Sequence, residues 1–189
     1  MFTLKDYDIP IDLIAYEFLR FVSYFDLDGI LPYFRLTPRE QAHIKYKIYK
    51  HRLQVTKFSD KTEYRIDGKL HRCDGPALER ANGDKFWYMH DKIHRDDGPA
   101  AKYAHGTKYW CINDKLHRDN GPAIECPNGD KMWYLNGERH RSDGPAIEWA
   151  NGSKEWYIDG KVHREDGSAI IWADGTKTYW LNGVQVPEF

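Results

Sequence analysis

Beyond residue 63 the hydrophobic and polar positions recur with a fixed period. Short apolar segments such as Trp133-Tyr134-Leu135, Trp156-Tyr157-Ile158 and Ala146-Ile147-Glu148-Trp149 alternate with polar turns. Their aromatic and β-branched residues suit a pleated, half-buried surface and predict short strands. The turns form two series. One is Asp67-Gly68, His90-Asp91, Asn113-Asp114, Asn136-Gly137, Asp159-Gly160 and Asn182-Gly183; the other is Asn82-Gly83, His105-Gly106, Asn128-Gly129, Asn151-Gly152 and Asp174-Gly175. Asn-Gly and Asp-Gly tolerate the positive φ angles of type I′ turns, whose twist matches the flanking strands. Both series therefore predict tight hairpins.

A second set of residues keeps the same 23-residue spacing: His71, His94, His117, His140 and His163, each followed by arginine. The segment continues as His-Arg-x-Asp-Gly-Pro-Ala, with Asn120 and Ser168 as departures. Tyr64, Trp87, Trp110, Trp133, Trp156 and Tyr179 fall in the same register and are expected to form an aromatic column. Each buried ring would contribute roughly 1.5–3 kcal/mol. One hairpin is marginal in water, so the units must lie side by side. The expectation is a mainly β chain with an open, elongated antiparallel β-hairpin repeat sheet over 64–189. Its units are 64–86, 87–109, 110–132, 133–155 and 156–178, with a partial one at 179–189.

Residues 1–60 follow a helical pattern instead. Ile14, Phe18, Phe21, Val22 and Phe25 give one apolar face. Pro10 suits a first helical turn, with Asp12 near its positive end, and Asp28-Gly29 suits its end. Thr37-Pro38-Arg39-Glu40 is a capping box that should open a helix running to about Leu53. A small helical module of this kind can cap the open end of a repeat sheet.

Composition narrows the function. The 28 basic and 29 acidic side chains leave a net charge of −1, with no basic stripe for nucleic acid or an anionic membrane. No apolar run could span a bilayer, and Met1–Pro10 lacks a signal-peptide pattern, so an intracellular chain is expected. Cys73, Cys111 and Cys126 lack metal-ligand spacing and fit reduced thiols. The five histidines should stand about 10 Å apart, too far to share an ion. Each is expected to fix its own long corner through backbone hydrogen bonds. The arginine and aspartate of each corner should pair. Lys85, Lys108, Lys131, Lys154 and Lys177 should form a like-charged row that discourages aggregation. Glu165, Glu148, Asp130 and His105 depart from the repeat but form no nucleophile–base set, and neither a phosphate loop nor a nucleophile elbow occurs. No catalytic site, metal or cofactor is expected.

The segment Tyr134-Leu135-Asn136-Gly137-Glu138-Arg139-His140 resembles the MORN repeat, which also has a 23-residue period, over about two-thirds of the chain. After the histidine it departs, with His-Arg-x-Asp-Gly-Pro-Ala in place of the usual His-Gly-x-Gly. That variant is similar to proteins of large DNA viruses, especially Marseillevirus-like ones, which implies a viral source. The departure argues against a lipid-binding role borrowed from that family, and lipid association stays a third, weaker reading. Ile9-Pro10-Ile11-Asp12-Leu13-Ile14, with Phe18-Leu19 and Asp26-Leu27, resembles the start of an F-box, although the third helix lacks the usual tryptophan. This resemblance implies a Skp-type ubiquitin-ligase adaptor as partner, held by Ile9, Pro10, Leu13, Ile14 and Leu19. On the sheet, Trp149 and Trp172, equivalent to Arg80, Tyr103 and Cys126, are candidate partner anchors. Two readings follow. In one the chain is an adaptor in the host cytoplasm that presents a partner. In the other it is a minor virion or capsid-associated component, and the helices only cap the sheet.

Overall fold

The computed structural model describes residues 37–188. The region holding the expected first helix and Ile9, Pro10, Leu13, Ile14 and Leu19 lies outside the described residues. Helix α1 (Pro38–Arg52) opens with the expected capping box: Thr37 Oγ1 accepts from Glu40 N–H at 3.3 Å, and Glu40 Oε2 accepts from Thr37 N–H at 2.6 Å. Ile44, Ile48 and Tyr49 lie on its buried side. No described helix is long and apolar enough to cross a membrane.

The chain then enters an open antiparallel sheet of 14 strands. Its first strand, β1 (Gln54–Lys57), pairs with β2 (Lys61–Ile66). The sheet thus begins upstream of Tyr64, where the repeat signals start. β1 has neither ring nor turn signal and is exposed throughout, so it stands outside the periodic pattern.

Each later unit adds two ladder strands and one side hairpin. In the unit starting at Trp133, Tyr134–Leu135 pairs with Glu138–Arg139 to make the side hairpin, and Ile147–Glu148 and Lys154–Glu155 are the ladder strands. Trp133 joins the two parts. Its N–H donates to Ala146 O at 2.8 Å, and its carbonyl accepts from His140 N–H at 3.2 Å.

The two turn series differ in the structure. In the side hairpins both central residues have positive φ, as in Asn136 (52°) and Gly137 (92°), so these are the expected primed turns. His90-Asp91 and Asn113-Asp114 adopt the same conformation without glycine, and there the aspartate reaches back one unit. Asp91 Oδ1 accepts from Leu70 N–H at 2.6 Å, and Asp114 Oδ1 from Ile93 N–H at 2.7 Å. In the ladder turns only the glycine is left-handed, for example Gly152 at 94°. Trp149 N–H donates to Ser153 O at 3.0 Å across a three-residue loop. These are bulged loops rather than two-residue type I′ turns, because the strands pair one residue farther out than the Asn-Gly pattern implies.

The histidines reach in two directions: Nε2 of His94, His117 and His163 meets an acidic side chain of its own corner, at 3.1, 3.2 and 3.6 Å, rather than the backbone, and Nδ1 holds the next unit. Nδ1 of His94, His117, His140 and His163 accepts the N–H of Asn113, Asn136, Asp159 and Asn182, at 3.3, 3.1, 3.3 and 3.0 Å. The ladder loops are tied in the same sense. Asp84, Asp130 and Ser153 accept the N–H of Ala104, Ala150 and Ala173 one unit on, at 2.7–2.9 Å.

Within a unit the corner arginine is the centre of packing. Arg141 lies over the Trp133 ring at 4.0 Å, and its Nε donates to Asp143 at 2.9 Å. Its Nη1 donates to Pro145 O at 3.1 Å and to Glu148 at 2.9 Å. Arg72, Arg95, Arg118 and Arg164 cover Tyr64, Trp87, Trp110 and Trp156 in the same way, at 3.9–4.3 Å. The expected aromatic column is therefore not ring on ring: a guanidinium covers each ring. The corner glycine makes room for this, since a Cβ on Gly144 would stand 2.9 Å from Arg141 Cζ. The following alanines, Ala77, Ala100, Ala123, Ala146 and Ala169, are fully buried.

Gly144→Ala should therefore push the Arg141 guanidinium off Trp133 and cost about 1–2 kcal/mol in urea denaturation. In an Arg141→Ala background the same change should cost nearly nothing, because the clash is gone. Equal costs in both backgrounds would show that the glycine serves the backbone instead.

His71 supplies a pH dependence. It is 1 % exposed, its Nε2 lies 3.2 Å from Cys73 Sγ, and the His90 ring stacks on it at 5.0 Å. Burial, with the neighbouring His90, lowers its pKa to about 4. Below about pH 6.5 an unfolded chain takes up the proton that the native chain still refuses. This group therefore leaves stability unchanged above that pH and removes up to roughly 3 kcal/mol as pH falls to 4. Urea titrations at pH 7.5, 5.5 and 4.5 should show this loss in the wild type and a smaller one in His71→Gln.

Candidate interaction surface

Side chains alternate across the ladder, so its two faces can be read from the strand register. One face carries the cross-strand row Leu78, Phe86, Ala101, Tyr109, Ile124, Met132 and Ile147. Arg80, Tyr103, Cys126, Trp149 and Trp172 lie two residues further along alternate strands and share this face. Tyr103 meets Phe86 edge-on at 5.5 Å and Tyr109 at 5.4 Å. This row is apolar, and the side hairpins pack against it: Tyr157 and Val162 join the buried cluster of Ala146 and Ile147, and Phe86, Ala101 and Ile147 are buried.

The two candidate anchors on this face differ. Trp149 is half-buried against Ala146, Ile147 and Tyr157, and its Nε1 donates to Glu155 at 2.8 Å. Trp172 is 45 % exposed. Glu155 takes the position that Phe86, Tyr109 and Met132 hold elsewhere. It also accepts from the Tyr157 hydroxyl at 2.9 Å, and burial and this bond raise the Tyr157 pKa. An acidic group in an apolar row is thus satisfied by two donors.

The other face carries Glu79, Lys85, Lys102, Lys108, Glu125, Lys131, Glu148 and Lys154 in register. The expected lysine row is therefore interleaved with glutamates, and its like charges meet directly only around Lys102. Between successive corners lie open notches of 410–740 Å³. One is floored by Trp156 and Ile158 and flanked by Asp143 and Asp166. The corner arginines hold Asp97, Asp143 and Asp166 below the usual carboxylate range.

At the helical end, Asp74 gathers three donors at 2.8 Å each: Tyr49 Oη, Lys50 Nζ and Arg72 Nε. The Lys50 hydrogen bond, followed by those from Arg72 and Tyr49, holds Asp74 well below the ordinary aspartate range. Arg52 pairs with Asp67 at 3.0 Å. The helix is thus clamped to the first corner and first turn, a contact the sequence pattern could not locate.

The remaining chemistry-bearing residues do not converge. Among the described residues no group of three or more His, Cys, Asp or Glu is placed to hold a metal ion. None of the three cysteines forms a disulfide, and burial raises the Cys111 thiol to about 11, which disfavours the reactive thiolate. Glu165 and His163 pair at 3.6 Å within one corner, Glu148 serves Arg141, Asp130 serves Ala150, and His105 meets Thr107 at 2.8 Å. No family model matches the chain, and no curated protein matches it in sequence.

Proposed function

We propose that the chain is a non-enzymatic protein-interaction scaffold that uses the apolar face of its repeat sheet to hold a protein partner. The carrying observation is Trp172, 45 % exposed at the end of an apolar row in which Phe86, Ala101 and Ile147 are buried. A large ring left exposed beside a packed apolar row is a candidate anchor for a partner. The variation at Arg80, Tyr103, Cys126, Trp149 and Trp172 places four different side chains on the five units of an otherwise repeated frame. That is what selection of one partner requires. Tyr103 is held by edge-on ring contacts and Trp149 by its bond to Glu155, so little side-chain entropy remains to be lost at these two positions on binding.

In this reading the sheet is MORN-like and the N-terminal module is an F-box-type arm for a Skp-type adaptor. The support for both is the sequence resemblance of Asn136-Gly137-x-x-His140 and of Ile9-Pro10 to Leu19. Two measurements separate the arms. Isothermal titration with a purified Skp-type adaptor should show binding that Pro10→Ala with Leu13→Asp weakens at least about tenfold; no heat with the wild type rejects the adaptor arm. Proximity labelling with the full chain should lose specific proteins when Trp172→Glu is introduced, and an unchanged labelled set rejects the apolar face as the partner site.

A further inference from the structure

The position that holds Glu79, Glu125 and Glu148 on the charged face is Lys102 in the second unit and Ile171 in the fifth, where Arg164 Nη1 still donates to Ser168 O at 3.2 Å. Where Glu79, Glu125 and Glu148 accept from the corner arginine of their unit, at 3.2, 2.8 and 2.9 Å, the second unit has Lys102. Arg95 is consequently left short of acceptors. Its Nε still reaches Asp97 at 2.7 Å, but its Nη1 is buried with no partner. Lys102 Nζ stands 5.3 Å from the centre of the Trp87 ring that Arg95 covers at 4.3 Å, so two cations share one indole. The two cross-strand neighbours of Lys102 are also lysines, Lys85 and Lys108. Of the carboxylates nearby, Glu79 pairs with Arg72, Glu125 with Arg118 at 2.8 Å and Lys108 at 3.7 Å, and Asp97 with Arg95, close enough to Lys102 for that charge also to favour its ionised form.

Like charges directly opposite on a sheet are unfavourable, and a buried unpaired guanidinium N–H costs about 1–3 kcal/mol. Both costs fall in the same unit and both disappear if an anion with several acceptor oxygens sits there. We propose that Lys85, Arg95, Lys102 and Lys108 form a binding site for one phosphate group, of the kind carried by a phosphomonoester. A dianion with three free oxygens suits three flexible ammonium groups and one fixed guanidinium better than a single carboxylate does. The site is one unit wide, and the same face carries Glu79 on one side and Glu125 and Glu148 on the other. That pattern fits a single compact anion and opposes a broad anionic membrane.

The test is thermal denaturation of the full chain at constant ionic strength, with inorganic phosphate or O-phosphoserine replacing chloride. The wild type should show a saturable rise in Tm with either ligand, and acetate should give none. Lys102→Glu restores the arginine–glutamate pair of the first, third and fourth units. It should melt higher than the wild type without ligand and should lose the phosphate response by at least tenfold in apparent affinity. Lys85→Gln should keep the fold and weaken the response. The proposal is overturned if phosphate has no effect on the wild type, or if it stabilises wild type and Lys102→Glu alike. It is also overturned if only vesicles rich in anionic lipid bind.

Discussion

The structure depends on how a thin repeat sheet covers its rings. A two-layer domain hides apolar surface between its layers. Here the side hairpins pack on the apolar row of the ladder, as Tyr157 does on Ile147, and at each corner a guanidinium is laid on an aromatic ring. Arg141 over Trp133 illustrates the arrangement: one face of the indole is covered at 4.0 Å, and the guanidinium is oriented by Asp143, Pro145 O and Glu148. Cation–π contacts gain strength when the donors are also satisfied and water is partly excluded. The rest of the corner serves this contact. Glycine lets the arginine approach, proline supplies a carbonyl without needing an acceptor, and alanine is small enough to be fully buried beneath it.

Stability within a unit does not by itself make an array. Neighbouring units are joined by the ladder pairing of adjacent strands and by further hydrogen bonds, of which three recur at the turns: between side-hairpin turns, from the turn N–H to a histidine Nδ1, and between ladder loops. All three connect a unit only to the next one. Such a chain behaves as a nearest-neighbour system in which the ends are the weakest points. The clamp of Tyr49, Lys50 and Arg72 on Asp74 places the densest polar network among the described residues at one of those ends.

The period, the hairpins and the open sheet were legible in the sequence because they rest on local rules: turn glycines, alternating rings and a fixed spacing. The capping box of α1 was legible for the same reason. What depended on register was not. The Asn-Gly pairs of the two turn series look alike, yet Asn136 is left-handed and Asn151 is not, because the flanking strands close the loop at different points. The partner of each histidine Nδ1 lies 19 residues away in the next unit, and spacing alone cannot say which N–H it meets. The alternation of lysine with glutamate appears only once Lys131 is set opposite Glu148. Of the candidate anchors, Trp149 and Trp172 are equivalent in sequence and unlike in surroundings, since only Trp149 has Glu155 within reach.

A repeat protein separates architecture from recognition more cleanly than a globular domain. Residues that every unit needs are accounted for by packing, as His140, Arg141 and Gly144 are. A position that breaks the period without breaking the fold needs another reason. Glu155 breaks the apolar row and is satisfied internally by Trp149 and Tyr157, so its departure is structural. Lys102 breaks the charged row in a unit where Asp97 serves Arg95 Nε but Arg95 Nη1 is buried without an acceptor. Natural proteins place such local conflicts at functional sites, where a ligand supplies the missing interaction. The contrast between these two exceptions points outward from the second unit, to a group the chain itself does not contain.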